Sequence, residues 1–201
     1  MELLNLNSSP IAHERNAYSL NKKELDVVKK TKYRKPDQGL YISETISLLK
    51  NETLAPLKKF IIKKADEYTR DVLGIKDKIY LTQSWSTINN TNAFHKIHDH
   101  PNTLIGLVYY AQCESSFIRF FLDRTALREG FNFDFTIDKY NIYNSNSWDL
   151  PVEAGDIVIF PGHVRHGSMP NDSKLPRIIV GANFFIKGKL GSVENVSFIT
   201  I

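Results

Sequence analysis

Residues 79–88, IYLTQSWSTI, decide how the chain is read, because from this point short runs rich in β-branched and aromatic residues replace a helical pattern. Seven comparable runs follow: AFHKIHDH (93–100), TLIGLVYYA (103–111), SFIRFFL (116–122), FNFDFTI (131–137), DIVIFP (156–161), RIIVGANFFI (177–186) and ENVSFITI (194–201). Breaks such as HPN, REG, EAGD and FPGH separate them. No long helical pattern lies between the runs, which argues against alternating βαβ units and a parallel sheet. About eight short strands with turn signals instead predict an antiparallel sandwich or jelly roll. Residues 123–150 are the least regular part and predict a long loop over one end of the barrel.

Upstream of residue 79 the periodicity is helical. NKKELDVVKKT (21–31) predicts a short helix, and Thr53–Leu73 a longer one. Thr53 is placed to cap the second, and Pro56 is tolerated in the first turn, where its missing N–H is not needed. Leu57, Phe60, Ile61, Ala65, Tyr68 and Val72 recur at spacings of three and four, and Gly74 is a natural stop. Such a helix has one apolar stripe and must lie on something, the sheet that follows being the only candidate. The expected organisation is one domain over 1–201: a helical region, 1–78, packed on a barrel, 79–201. The expected fold class is mainly β with N-terminal helices, jelly-roll or cupin-like.

Composition narrows the function. The 201 residues are 42% hydrophobic and 24% charged, ordinary globular proportions. No apolar run approaches the ~18 residues of a membrane-spanning helix. The N-terminus lacks the basic patch and long apolar stretch of a signal peptide, so the expectation is a soluble cytoplasmic protein with no membrane partner. One cysteine, Cys113, allows neither an internal disulfide nor a cysteine-rich zinc site, and no basic group stands beside it in sequence to activate it as a nucleophile. The net charge of +4 is concentrated in residues 1–80, where 16 basic residues face 11 acidic ones. Without a nucleic-acid motif, solvated helix faces account for these lysines, so no nucleic-acid partner is expected. No G-x-S-x-G elbow is present to support a hydrolase.

The histidines are the informative residues. His13 stands alone and reads as a surface residue. The other five form two clusters, His95-Lys96-Ile97-His98-Asp99-His100 and His163-Val164-Arg165-His166. In a strand, residues two apart share a face, so His98 and His100 point together and Asp99 points away. His166 follows the run 156–160 and can meet that face from elsewhere in the barrel. Three neutral imidazoles at one point suit Fe(II), Zn(II), Ni(II) or Mn(II). His95 and His163 are read as ordinary surface or core histidines.

Taken in order, Trp85, His98-x-His100-Pro101-Asn102, Gly106-x-x-Tyr109, Gly155-Asp156-x-x-x-Phe160-Pro161, His166 and Arg177-x5-Asn183-Phe184 resemble a known pattern. It is that of the 2-oxoglutarate- and Fe(II)-dependent oxygenases of cyanophages and marine bacteria, distant relatives of prolyl hydroxylases. The likeness covers roughly residues 80–187. It implies a double-stranded β-helix with helices on one sheet, and, for a phage protein, the host cytoplasm.

In most members of that superfamily the metal sits on a His-x-Asp/Glu pair and a distal His. By resemblance the ligands here are His98, His100 and His166, with His100 in the carboxylate position. Asp99 is one residue out of phase unless a bulge re-aims it. Arg177 lies 11 residues after His166, where relatives place the cation that pairs with the distal carboxylate of 2-oxoglutarate, a role that suits its planar fork. Tyr109 is placed to donate to the cosubstrate, and Asn183 to face the metal or substrate. Ile179 replaces a serine common in relatives, removing one cosubstrate hydrogen bond. Asn102 shapes a turn, while Trp85 and the phenylalanines 117, 120, 121, 131, 133 and 135 read as core.

The activity implied is a dioxygenase that uses Fe(II), 2-oxoglutarate and O2 to hydroxylate a substrate the sequence does not identify, releasing succinate and CO2. Two alternatives use the same barrel. One is a three-histidine cupin-like metalloenzyme that does not use 2-oxoglutarate and has no need of Arg177. The other is a non-catalytic jelly-roll module binding through its basic helices. The oligomeric state is not legible in the sequence.

Overall fold

Two antiparallel sheets face each other, and alternation along their strands divides the core in two. A computed structural model describes residues 8–122 and 136–201. Its strands are β1 (Ala12–Glu14), β2 (Leu40–Ile42), β3 (Lys78–Asn89), β4 (Ile105–Gln112), β5 (Ser116–Phe121), β6 (Ser147–Val152), β7 (Ile157–Pro161), β8 (His166–Ser168), β9 (Arg177–Lys187), β10 (Lys189–Leu190) and β11 (Ile199–Thr200). The major sheet has six strands in the order β1-β7-β4-β9-β3-β2, and the minor sheet three, β6-β5-β8. Helices α1 (Lys22–Lys30) and α2 (Ala55–Glu67) cover the outer face of the major sheet.

Along β4, Ile105, Leu107 and Tyr109 pack toward the helices, whereas Val108 and Tyr110 pack toward the minor sheet with Ile118, Phe120 and Phe160. Leu54, Leu57, Ile61 and Ala65 are fully buried on the helix side, and burial of a large apolar side chain is worth roughly 1.5–3 kcal/mol. This is the double-stranded β-helix. Among the described residues no helix is long and apolar enough to cross a membrane.

Helix α1 starts where the sequence places it. The Asn21 side chain accepts from the backbone N–H groups of Lys23 and Glu24, and the Glu24 carboxylate accepts from Asn21 N–H at 2.9 Å, a reciprocal capping box. The second helix differs in detail. Asn51, not Thr53, supplies the side-chain cap, to a 3-10 turn at Glu52–Leu54 that leads into α2. Beyond α2 the chain widens to a π turn at Tyr68–Val72. That turn breaks the 3.6-residue period, so Thr69 is buried and Val72 is 50% exposed.

Several strand expectations are corrected. Residues 93–100 form no continuous strand. They follow the chain from Gly162 to Asn171 through spaced backbone hydrogen bonds, including the reciprocal pair between His98 and His166 at 2.9 Å. In the C-terminal run the strand is confined to Ile199–Thr200, which pairs with Lys189–Leu190 in a separate hairpin that Ile201 and Gly188 extend by two backbone hydrogen bonds. Ser147–Val152 is a strand that begins inside the expected loop 123–150; Pro151 obscures it, as does its mixed polarity. Strands β1 and β2, at three residues each, lie in the region read as helical and extend both edges of the major sheet. The predicted strand 131–137 and Phe131, Phe133 and Phe135 fall largely or wholly outside the described residues. Phe120 is buried, but Phe117 is 44% exposed.

Two single-residue readings change as well. His13 is not a free surface group: on β1 opposite Val158, its ring bonds Asp156 at 2.9 Å. Asp156 also accepts from Asn16 N–H, tying the N-terminal segment to the β6–β7 turn. Cys113 is buried, and burial pushes its thiol up to about 11, which keeps it protonated and unreactive.

Candidate active site

The open end of the barrel is built around three imidazoles. One ligand atom from each of His98, His100 and His166 lies within 4.8 Å of the other two. His98 and His166 are brought together by their backbone pairing, and His100 is set by its N–H to Gly162 carbonyl, 2.9 Å. Each ring is then oriented through Nδ1: His98 to the Lys96 carbonyl at 2.8 Å, His166 to the Val164 carbonyl at 2.9 Å, His100 to Asn183 Oδ1 at 2.7 Å. All three partners are acceptors only, so each Nδ1 carries the proton and each Nε2 keeps its lone pair. This is how metal-binding histidines are commonly held.

Burial reinforces that state. Desolvation, followed by repulsion from His98, pulls His166 down to about 3. Desolvation likewise lowers His100, to about 4, against the opposing hydrogen bond to Asn183. Neutral imidazoles at neutral pH are what a transition-metal ion requires. Exposed Asp99 takes no part.

Space for His100 depends on Gly106. A Cβ there would stand 2.6 Å from the Phe160 ring and 3.0 Å from His100 Nδ1. Gly106→Ala is expected to leave the protein folded but to weaken metal binding by about 10- to 100-fold, the usual cost of disturbing a ligand's support. Competition with a chelator measures it, and unchanged affinity would contradict this account of the glycine.

Arg177 lines the same cavity as the three imidazoles. The guanidinium is 2% exposed and donates to Ser116 Oγ, to Ser168 Oγ at 2.8 Å and to the Met169 carbonyl at 2.9 Å. None of these partners is charged, and no carboxylate among the described residues forms an ion pair with it. Burial lowers its pKa, though an arginine stays charged. A buried cation without a counter-charge is costly unless an anion arrives to pair with it. The cavity therefore presents a metal-type donor set beside a receptor for an anion.

Comparison with known proteins gives this arrangement a family. Residues 83–183 match the family described as "Putative 2OG-Fe(II) oxygenase". The chain belongs to the 2-oxoglutarate/Fe(II) oxygenases. No curated protein sequence matches it. Among solved structures, the non-haem α-ketoglutarate-dependent epimerase SnoN from nogalamycin biosynthesis aligns with TM-score 0.61 at 12% identity, covering 90% of this chain and 80% of that one. HygX from Streptomyces hygroscopicus, with nickel, 2-oxoglutarate and hygromycin B bound, aligns with TM-score 0.60 at 11% identity over 88% and 82%. A Pseudomonas putida prolyl-4-hydroxylase aligns with TM-score 0.50 at 13% identity over 91% and 96%. The family depends on Fe(II) and 2-oxoglutarate, and the donor set here fits both: imidazoles suit Fe(II), and the buried guanidinium suits a dicarboxylate.

In this oxygenase three sequence assignments shift. Tyr109 turns away from the cavity: its hydroxyl donates to the Tyr18 carbonyl at 3.0 Å inside the helix-side core. The neighbouring Tyr110, on the other face of β4, lines the cavity instead. Asn183 does reach the site, but it holds His100 by Oδ1 and bonds Gln83 Oε1 through Nδ2 at 3.3 Å, which makes it a positioning residue. Trp85 is less a core residue than expected, lying edge-on to His100 at 5.8 Å along the cavity wall. Gly181 makes room for it, since a Cβ there would fall 2.5 Å from the indole.

Other residues were missed or read correctly. His95 stacks 4.3 Å from His98 and lines the cavity, and desolvation lowers it to about 4. His163 is exposed and away from the site, as read. Asn102 has φ 55° in the turn after Pro101, as its residue type suggests. Ser116 and Ser168, which hold Arg177, carry no sequence signal at all.

Proposed function

We propose that this oxygenase binds its metal through His98, His100 and His166, takes the distal carboxylate of 2-oxoglutarate on Arg177, and hydroxylates a substrate entering from the opposite side, with O2 as oxidant. The observation that carries the reading is the neutral imidazole cluster and a buried guanidinium, with no ion-paired carboxylate among the described residues, sharing one cavity. When bound, Fe(II) and 2-oxoglutarate together supply oxidative decarboxylation to succinate and CO2 and the power to oxidise a C–H bond.

The chain's own part is orientation and exclusion. Asn183 and two backbone carbonyls hold the rings through Nδ1, which leaves three Nε2 lone pairs free for the ion. A set of three neutral ligands leaves more positive charge on the ion than a set with a carboxylate, which strengthens its hold on an anionic chelate. Arg177 fixes the far end of the diacid and thereby its rotation about the metal. Apolar Val108, Ile118 and Ile179 keep water from the inner wall.

A second, outer cleft adjoins the same histidines and is walled by Arg34, Ile42, Ile46, Trp85, Asp99 and Pro101, a surface suited to the substrate. A reducing cytoplasm is the proposed compartment, consistent with one unpaired, buried thiol.

The test is anaerobic reconstitution with Fe(II), followed by exposure to air and assay of succinate from 2-oxoglutarate. Arg177→Leu should raise KM for 2-oxoglutarate by about 10²-fold, since charge-assisted bidentate hydrogen bonds of ~1.5–3 kcal/mol each are lost. Metal-dependent activity indifferent to both 2-oxoglutarate and Arg177 would favour the three-histidine cupin-like alternative.

A further inference from the structure

Asn89 ends β3 directly opposite Arg177 on β9, so their side chains stand on the same face of the sheet. It is 2% exposed, and its Nδ2 is the one buried side-chain polar atom among the described residues that finds no hydrogen-bond partner. Buried amide donors are almost always satisfied, so an orphan on a cavity wall marks a place where an acceptor belongs. The cavity in question is the inner one. Asn89 and Arg177 line it together, and neither lines the outer cleft, although Trp85, His95, His98 and His100 line both. The histidines therefore separate an inner arm that holds Arg177 and the spare donor of Asn89 from an outer arm that holds neither. Ile179, beside Arg177 on the same face of β9, offers no donor of its own.

We propose that Asn89 is a cosubstrate-binding residue, its side-chain amide donating from Nδ2 to the distal carboxylate of 2-oxoglutarate alongside Arg177. This rests on the cosubstrate reading above and extends it. The carboxylate's two oxygens accept from a guanidinium on one strand and an amide on the adjacent one. The pair of donors selects for a 2-oxo diacid over a 2-oxo monoacid, because leaving both donors unmatched is costly.

The experiment is calorimetric titration of the full-length, Mn(II)-loaded protein with 2-oxoglutarate and with pyruvate, which keeps the chelating end and lacks the distal carboxylate. Asn89→Ala should weaken 2-oxoglutarate by roughly tenfold or more, and Asn89→Asp by roughly a hundredfold or more, since it sets a negative charge against the diacid and occupies Arg177. Pyruvate binding should not change. If Asn89→Asp fails to fold, Asn89→Ser carries the same test. In the wild-type protein, the Asn89 side-chain amide resonance should also shift with 2-oxoglutarate and not with pyruvate. Wild-type binding of 2-oxoglutarate that depends on Arg177 but is unaltered by Asn89→Ala or Asn89→Ser overturns the role of Asn89 alone. Absence of 2-oxoglutarate binding to the wild-type protein overturns the cosubstrate reading itself.

Discussion

His166→Ala is expected to abolish stoichiometric iron binding and, with it, 2-oxoglutarate turnover. A structural zinc site of four ligands is worth about 10–16 kcal/mol, or about 3–4 kcal/mol per ligand, so losing one of three imidazoles costs on the order of 10²–10³ in affinity. His95 lies close by, 4.3 Å from His98, but it is not part of the converging cluster. Asp99 is exposed and outside the cluster, and among the described residues the only cluster of metal-type donors is His98, His100 and His166. The ring is also packed 4.3 Å from Phe160 and 6.0 Å from Phe120, so its removal leaves an apolar hole rather than a water site. Elemental analysis of the purified variant beside wild type measures the outcome. Iron retained at one equivalent, with full turnover, would remove His166 from the ligand set. His163→Ala is the control and should change neither quantity, because that ring is exposed and its hydrogen bond is to Ser9 at 3.5 Å, away from the cluster.

The metal-free protein should lose much of its stability between pH 6.5 and about 4. In the unfolded chain these imidazoles titrate near 6.5, whereas in the fold burial lowers His95 and His100 to about 4 and His166 to about 3. Below pH 6.5 the unfolded state therefore takes up protons that the native state refuses. Stability is complete above 6.5 and drains away as the pH falls toward the native values. One shift of this size corresponds to about 3 kcal/mol, and the three are coupled through mutual repulsion and do not simply add. Against a typical total of about 5–15 kcal/mol, even one such contribution is large.

Urea midpoints of chelator-treated protein from pH 7.5 to 4.5 give the slope. The difference between wild type and His166→Gln isolates the histidine part from the carboxylates. Identical slopes in the two proteins would refute the assignment. A bound metal ion adds to the effect, because protons then compete with it for the same lone pairs.

Much of this architecture was legible because it follows from periodicity. β-Branched runs identified β3, β4, β5, β7 and β9, and residues 21–31 were legible as the short helix α1. The metal-type cluster was legible too, although strand alternation is not what brings its rings together. His98 and His100 converge without a regular strand beneath them, because backbone hydrogen bonds to His166 and Gly162 set their directions one at a time. Tyr109 was misassigned because a strand buried on both faces gives no alternation from which to choose between Tyr109 and Tyr110. Ser116, Ser168 and Asn89 were invisible for another reason. They matter only through cross-strand neighbours distant in the chain, and a lone serine or asparagine in a strand has no pattern.

The pairing of β3 with β9 matches Gln83 to Asn183 at one end and Asn89 to Arg177 at the other, with a bulge at Leu81/Gln83 upstream of both pairs. One ladder thus sets the aim of a ligand's support and of the anion receptor at once. Deleting a single residue between 83 and 89 would invert the downstream half and turn Asn89 out of the barrel. Sequence drift in this stretch is accordingly free to exchange side chains but not to change length, and lineages that keep the chemistry should show a fixed count of residues here even where few letters agree.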